Sequence, residues 1–273
     1  MALTPIQRRV CHLLAGRRRA SRDSYVAGGV ALNLALEAQR ISRDLDVFHD
    51  TSEAVAQSLH HDRALLQSAG YDVVVVREQP GFVEATVSHG GDALIVEWAR
   101  DSAFRFFPLV EDEELGLTLH PFDLATNKVL ALVGRLEVRD WIDIIACHER
   151  LQPLGYLAWA ASGKDPGFTP PGILTLARRS SHYSAEEVAA LMFAGAAPDA
   201  ADLARRWQAA LAVAAETVAL LPREHVGKAV LTDSGELFRG GQDDLERAMT
   251  NGALTFHSGR IGGALPHVRT GPQ

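Results

Sequence analysis

The pattern of apolar and polar positions changes character part-way along the chain. Up to about residue 120, strand-like and helix-like segments mix, and from Phe122 onward helical patterning dominates. Residues 24–27 form a short apolar stretch, and Gly28-Gly29 then opens a helix running to about Gln39. Residues 44–48 read as a strand, and residues 51–68 as a helix with Thr51 or Ser52 as N-cap. Residues 71–77 hold four valines in a row at 73–76, which predicts a strand buried on both faces. Residues 82–88 and 92–98 follow across Pro80-Gly81 and Gly90-Gly91, as hairpin neighbours would.

Residues 122–135 and 138–151 carry helical spacing. The Pro- and Gly-rich stretch 164–172 reads as a loop and as a candidate boundary. Residues 184–193 begin with Ser184 and, three residues on, Glu187, the signature of a capping box. Residues 199–221 predict a long Ala-rich helix. Residues 226–232 and 236–239 flank Asp233-Ser234-Gly235, which suggests a small hairpin near 226–239. The Gly- and Pro-rich last residues read as poorly ordered. The expected organisation is an α/β region over 1–120 followed by a mainly helical region over 121–273.

Composition narrows the class. The chain has 273 residues, 47% of them hydrophobic and 22% charged, which fits a folded globular protein with a sizeable core. No apolar run approaches the roughly 18 residues needed to span a bilayer. Cys11 and Cys147 are too few for a disulfide scaffold or a cysteine-rich zinc module, and they suit a reducing cytoplasm. The formal net charge is −7, which disfavours coating of nucleic acid by bulk charge. Residues 1–22 are the exception, with six arginines and no acid. Ile6, Val10, Leu13 and Leu14 predict that this segment is a surface helix with its arginines in water, although a basic arm touching RNA would look the same.

The candidate chemistry begins at Asp44 and Asp46. Residues two apart on a strand point to one face, so these carboxylates project together while Leu45 and Val47 point into the core. Two adjacent carboxylates attract a cation, and Mg²⁺ prefers such oxygens while keeping water positions open for phosphate. Glu97, which interrupts the apolar run 93–96, is the candidate third acid of a two-metal site. A solvated Asp-x-Asp turn is the plainer alternative. Gly28-Gly29 before a helix would bring backbone N–H groups and the helix dipole near an anion, or would simply make a tight turn.

A second cluster lies downstream. Lys128 and Arg135 are seven apart and share a helix face with Asp123 nearby, and Asp140 and Asp143 open the next helix. Lys128 could hold a triphosphate, Arg135 could fork onto phosphate oxygens, and Asp140 or Asp143 could accept a proton from an incoming hydroxyl. Alternatively, Asp140 caps its helix while Lys128 and Arg135 form surface ion pairs with Asp123 or Asp143. His60-His61-Asp62 reads as a solvated face, His49 as a loop histidine, and Trp98 and Trp141 as core or cleft wall.

The run Tyr25-Val-Ala-Gly-Gly-Val-Ala-Leu32 with Arg40-Ile-Ser-Arg-Asp-Leu-Asp-Val-Phe48 resembles the first motif of the AbiEii-type nucleotidyltransferases. These are toxins of abortive-infection systems within the polymerase-β-like superfamily. Residues 123–135 with Lys128, and Arg139-Asp140-Trp141-Ile142-Asp143, resemble the family's later Lys and Asp motifs in the same order. The resemblance covers about residues 20–155. It departs at Val30, where the family often has Thr or Ser.

The resemblance implies a mixed sheet with flanking helices, followed by a mainly helical C-terminal lobe forming the other wall of a cleft. It implies Mg²⁺-dependent transfer of a nucleotidyl group from an NTP to a tRNA or protein hydroxyl. The protein would be a cytoplasmic toxin restrained by a cognate antitoxin, with no membrane partner. Asp44, Asp46 and Glu97 would hold metal. Gly28, Gly29, Ser42, Lys128 and Arg135 would meet the nucleotide, and Asp140 or Asp143 would serve as base. An antibiotic-type small-molecule nucleotidyltransferase and a catalytically decayed nucleotide-binding module are the rival expectations.

Overall fold

The computed structural model describes residues 3–181 and 183–261. In chain order the elements begin α1 (Pro5–Ser21), β1 (Tyr25–Val26), α2 (Gly28–Ala35), β2 (Arg40–Ile41), β3 (Asp44–His49) and α3 (Ser52–Ser68). Then come β4 (Asp72–Gln79), β5 (Phe82–His89), β6 (Asp92–Arg100), β7 (Phe104–Arg105), β8 (Val110–Asp112) and β9 (Gly116–Thr118). The later chain forms α4 (Pro121–Arg135), α5 (Val138–Arg150), α6 (Leu154–Ala161), α7 (Pro170–Ala177), α8 (Ala185–Ala189), β10 (Met192–Phe193) and α9 (Ala200–Leu220). It ends with β11 (Lys228–Thr232), α10 (Gln242–Thr250), β12 (Leu254–Ser258) and β13 (Arg260–Ile261). The reading of the Gly- and Pro-rich last residues falls outside the described residues. Among the described residues no helix is long and apolar enough to cross a membrane.

The chain divides into two compact units. Of the described residues, the first comprises 3–103, 107–120 and 261, and the second 104–106, 121–181 and 183–260. The loop 164–172, expected as a boundary, lies inside the second unit, and Pro170 already belongs to α7.

The first unit is built on a seven-stranded mixed sheet in the order β4-β5-β6-β3-β1-β9-β8. β3 runs parallel to β6 and β1 parallel to β9, and the remaining neighbours are antiparallel. α1 and α3 pack on the sheet and on each other. Strand alternation sends Leu45 and Val47 of β3, Val83, Ala85 and Val87 of β5, and Val96 and Trp98 of β6 into the core with Val10, Leu14, Val55 and Leu66. α1 starts where Thr4 and Gln7 form a capping box and Pro5 presets the first helical turn.

Expectations about exposure fail here for a strand and a helix. The valine run forms β4, which is the last strand of the sheet rather than a central one, and Val74 and Val76 are 61% and 60% exposed. A run of β-branched residues reports strand propensity but not position in the sheet. The arginines of α1 are not all in water, because Arg18 is fully buried and donates to the Leu115 carbonyl at 2.7 Å.

The second unit is mainly helical. Its core gathers Phe122, Leu132, Trp141, Ile144, Trp159, Ile173 and Trp207, all buried. α8 is capped by the Ser184–Glu187 box and α9 by Asp199. Tyr156, Trp159, Leu221, Val230 and Leu245 form one cluster of this core, with Phe238 and Phe256 packed against it. The expected hairpin near 226–239 is corrected. β11 pairs along its full length with β12, while Glu236 and Phe238 only fold back on it through two backbone bonds and a bridge at Leu237. The longer apolar edge of residues 254–258 supplies the better partner.

Candidate active site

Asp44 and Asp46 stand on the face of β3 opposite Leu45, Val47 and the buried His49. In the parallel pairing with β6, Asp46 lies in register with Glu97, and β5 continues the row with Glu84. Register partners share a face, so Asp46, Glu97 and Glu84 form a carboxylate row across three neighbouring strands, with Asp44 beside Ile95 one step along. Arg77 of β4 approaches Glu84 at 3.9 Å at the end of this row.

The two glycines explain how α2 comes so close. Gly28 has φ +63°, and a Cβ built there would fall 1.7 Å from Asp46 Oδ2. The Ala27 N–H donates to the Asp46 carbonyl at 3.1 Å, which ties the start of the helix to β3. A Cβ on Gly29 would lie 2.6 Å from Ser42 Oγ and 2.8 Å from Arg40 Nη2. The room left by the glycine pair is thus filled by Asp46, Ser42 and the buried Arg40. Ala27, the N-cap of α2, makes no side-chain cap, so the first N–H groups of the helix are left to other acceptors. Val30 is fully buried.

The donor chemistry of this face, carboxylate oxygens on adjacent positions, fits a hard divalent cation with Asp44 and Asp46 as its holders. Among the described residues no three His, Cys, Asp or Glu side chains are already gathered as a metal-binding group. Glu97 shares the face and the register, one strand away, without completing such a group.

The downstream cluster is contained in the second unit. Lys128, only 7% exposed, donates to Asp140 Oδ1 at 3.0 Å and approaches Asp143 Oδ2 at 3.2 Å. Arg135 forks onto Asp140 through Nε at 2.6 Å and Nη2 at 3.0 Å. Lys128 thus faces both aspartates, and Arg135 reinforces Asp140. These are ion pairs, but the Lys128 pairs are buried rather than superficial, and Asp140 and not Asp123 is the hub. Burial alone would raise the Asp140 carboxyl. The hydrogen bonds from Arg135 and the charge of Lys128 outweigh it and hold the group below the usual carboxylate range. α5 has no side-chain N-cap, so Asp140 does not cap it.

Asp123 is occupied elsewhere. It accepts the Phe106 N–H at 3.0 Å and pairs with Lys164 at 2.7 Å, and Lys164 also donates to Asn127 at 2.7 Å. Sequence alone does not single out Lys164, because a lone lysine in a Pro/Gly loop carries no local signal. Burial beside Asp143 pushes the Cys147 thiol far up, so it is inert as a nucleophile.

Behind the sheet the first unit holds a second buried ionic group that the sequence does not announce. Asp62, expected on a solvated face, is fully buried and receives Arg17 Nε at 2.7 Å and Trp98 Nε1 at 2.9 Å. Arg17 also binds Asp23 at 2.7 Å and Ser58 at 2.9 Å. His49 belongs to β3 rather than a loop, and burial pushes its imidazole down to about 4 against the smaller opposing effect of its bond to the Ala99 carbonyl.

The family model described as "Nucleotidyl transferase AbiEii toxin, Type IV TA system" matches residues 12–213. Among solved structures, the chain is similar to MenT4, a nucleotidyltransferase toxin of Mycobacterium tuberculosis H37Rv, with a TM-score of 0.53 and 17% identity over 80% of this chain and 84% of that one. It is also similar to a protein from H. pylori assigned as a nucleotidyltransferase, with a TM-score of 0.51 and 14% identity over 80% of this chain and 97% of that one. No curated protein sequence matches the chain. The family match spans well over half of the residues, and both structures share the mixed-sheet fold, so the chain belongs to the AbiEii nucleotidyltransferase toxin family of type IV toxin–antitoxin systems and is a nucleotidyltransferase.

Proposed function

We propose that the protein transfers a nucleotidyl group from an NTP to a hydroxyl of tRNA or of a protein, in a Mg²⁺-dependent reaction, and that a cognate antitoxin restrains it. The observation that carries this reading is the pressing of Gly28 against the Asp46 carboxylate, with Asp44 two residues away on the same face. That arrangement supports a site where the N–H groups at the start of α2 receive phosphate oxygens and the two aspartates hold the cation that accompanies them. Mg²⁺, when bound, would stabilise the charge of the transferring phosphoryl group and lower the pKa of an attacking hydroxyl.

The chain's own contribution is positional. Asp44 and Asp46 are fixed by the register of β3 on β6 and by the Ala27 bond. Ser42 and Arg40, gathered at Gly29, place a hydroxyl and a cation beside the start of α2, where a nucleotide phosphate would meet them. In the second unit we assign Lys128 and Arg135 to charge neutralisation at phosphate, and Asp143 to the base. Asp143 shares Lys128 with Asp140, and Arg135 and Lys128 hold the Asp140 carboxyl low, which makes Asp140 a poorer proton acceptor than an ordinary carboxylate.

The test is incubation of purified protein with Mg²⁺, each α-labelled NTP in turn and total tRNA, beside Asp46→Ala. Label on RNA that disappears in the variant supports a tRNA acceptor, and label on polypeptide supports a protein acceptor. Absence of both, together with absence of Mg²⁺-dependent NTP binding, overturns the reading.

A further inference from the structure

We propose that β4 is an interface strand and that its occupant is the β4 strand of a second copy of this chain, paired antiparallel about a twofold axis through Val74. β4 ends the seven-stranded sheet, and no strand among the described residues pairs with its outer side. Soluble proteins shield such edges with prolines, charges, bulges or a covering element, and β4 carries a bulge and flanking charges but no proline or charge within its valine run. Between Asp72 and Arg77 the strand runs through four valines, with Val74 and Val76 exposed and Ile95, on the face of Val74, 40% exposed. Val74, Thr86 and Ile95 stand in one cross-strand row, so the apolar surface reaches inward from the edge.

The choice of a second copy rests on self-complementarity. A twofold axis perpendicular to a sheet pairs only residues that point to the same face. In a regular strand centred on Val74, Val73 would meet Val75 and Asp72 would meet Val76. β4 is not regular. Its pairing with β5 steps from Val75↔Ala85 directly to Arg77↔Glu84, so Val76 is the extra residue of a bulge. The bulge puts Arg77 one alternation beyond Val75, on the face shared by Asp72 and Val74. Centred on Val74, the two strands then place valine against valine in the middle and Asp72 against Arg77 at both ends. Arg77 is already ordered, its guanidinium 4.4 Å above the Phe82 ring and 3.9 Å from Glu84. The proposed pairing uses one irregularity of the strand, the two charges that bracket the valines, and the exposed Val74 at once.

The test uses the full chain in sedimentation and light-scattering measurements over a wide concentration range. Wild type is expected to dimerise with concentration. Asp72→Arg and Arg77→Asp should each weaken the dimer by roughly tenfold or more, because each replaces two attractive cross-strand pairs by two repulsive ones. Mixing the two variants should restore a heterodimer, since the edge that carries two arginines then faces the edge that carries two aspartates, and both end pairs become attractive again. Thermal melts of the single variants report folding separately, and heterodimer recovery cannot come from misfolded chains. A wild type that stays monomeric throughout overturns the proposal. So does a dimer indifferent to both substitutions, a mixture that fails to recover, or an edge that takes up only a different polypeptide.

Discussion

Gly28 and Asp46 occupy each other's space: a single added methyl on the glycine would sit 1.7 Å from the aspartate Oδ2. The helix that follows β1 can start beside the carboxylate only because position 28 has no Cβ and tolerates φ +63°. Gly28→Ala is therefore expected to push Asp46 off its position as well as strain the backbone. Nucleotidyl transfer should fall by roughly a hundredfold or more, approaching the level of Asp46→Ala. The two substitutions should not add in activity, because the glycine acts through the aspartate. Steady-state rates of both single variants and the double variant check this. A double variant worse than Asp46→Ala by the full Gly28→Ala factor would separate the two residues.

The Lys128 cluster gives a prediction in stability as well as activity. Removing the ammonium leaves Asp140 to Arg135 alone and deprives the nearly fully buried Asp143 of the lysine it faces at 3.2 Å. Breaking a buried pair by deleting one partner costs about 3–5 kcal/mol. Lys128→Ala should thus lower the denaturation midpoint in urea as well as abolish transfer. Lys128→Ala with Asp143→Asn should recover part of the stability and none of the activity. Equal stability of wild type and Lys128→Ala would show that the buried charges are compensated by another route.

Asp140 should make the fold acid-sensitive. Its folded pKa lies below the unfolded value, so its contribution is present above the ordinary carboxylate pKa of about 4 and is lost as pH falls through the folded value. Asp140→Asn should be less stable than wild type at pH 7, and the gap should close as the solution is acidified below about pH 4. Urea melts of both proteins at a series of pH values measure it. A gap independent of pH would assign the loss to hydrogen bonding rather than to charge.

Much of this arrangement is legible from residues alone, and the misses share a cause. The alternation around Asp44 and Asp46 identifies their common face, because strand period is a local property, and β3 appears where the pattern puts it. The capping signature at Ser184 is equally local. Long-range pairing is not. Nothing near Asp62 tells that Arg17 and Trp98, 45 and 36 residues away, will close on it. The valines of β4 look central by composition and stand at the edge because sheet order depends on where the other strands go. Gly28-Gly29 is legible as a close approach, but the group approached is the chain's own Asp46, Ser42 and Arg40.

His49 sits on the reverse of the same strand and should govern stability between neutral and mildly acidic pH. Its Nδ1 lies 3.3 Å from the Ala99 carbonyl, which selects the Nδ1–H tautomer, and its Nε2 is buried with no partner among the described residues. Desolvation pushes the folded imidazole down to about 4, while the unfolded chain protonates near 6.5. The unfolded state thus takes up the proton first, and stability falls as pH drops from about 6.5 to about 4, by about 3 kcal/mol for a shift of this size. Below that window both states are protonated and the loss stops growing. His49→Gln keeps an N–H for Ala99 and removes the titration. The variant should lose about 3 kcal/mol less than wild type between pH 7 and pH 4 in chemical denaturation. Parallel pH profiles for the two proteins would mean that water reaches Nε2 and that the imidazole is solvated behind the sheet.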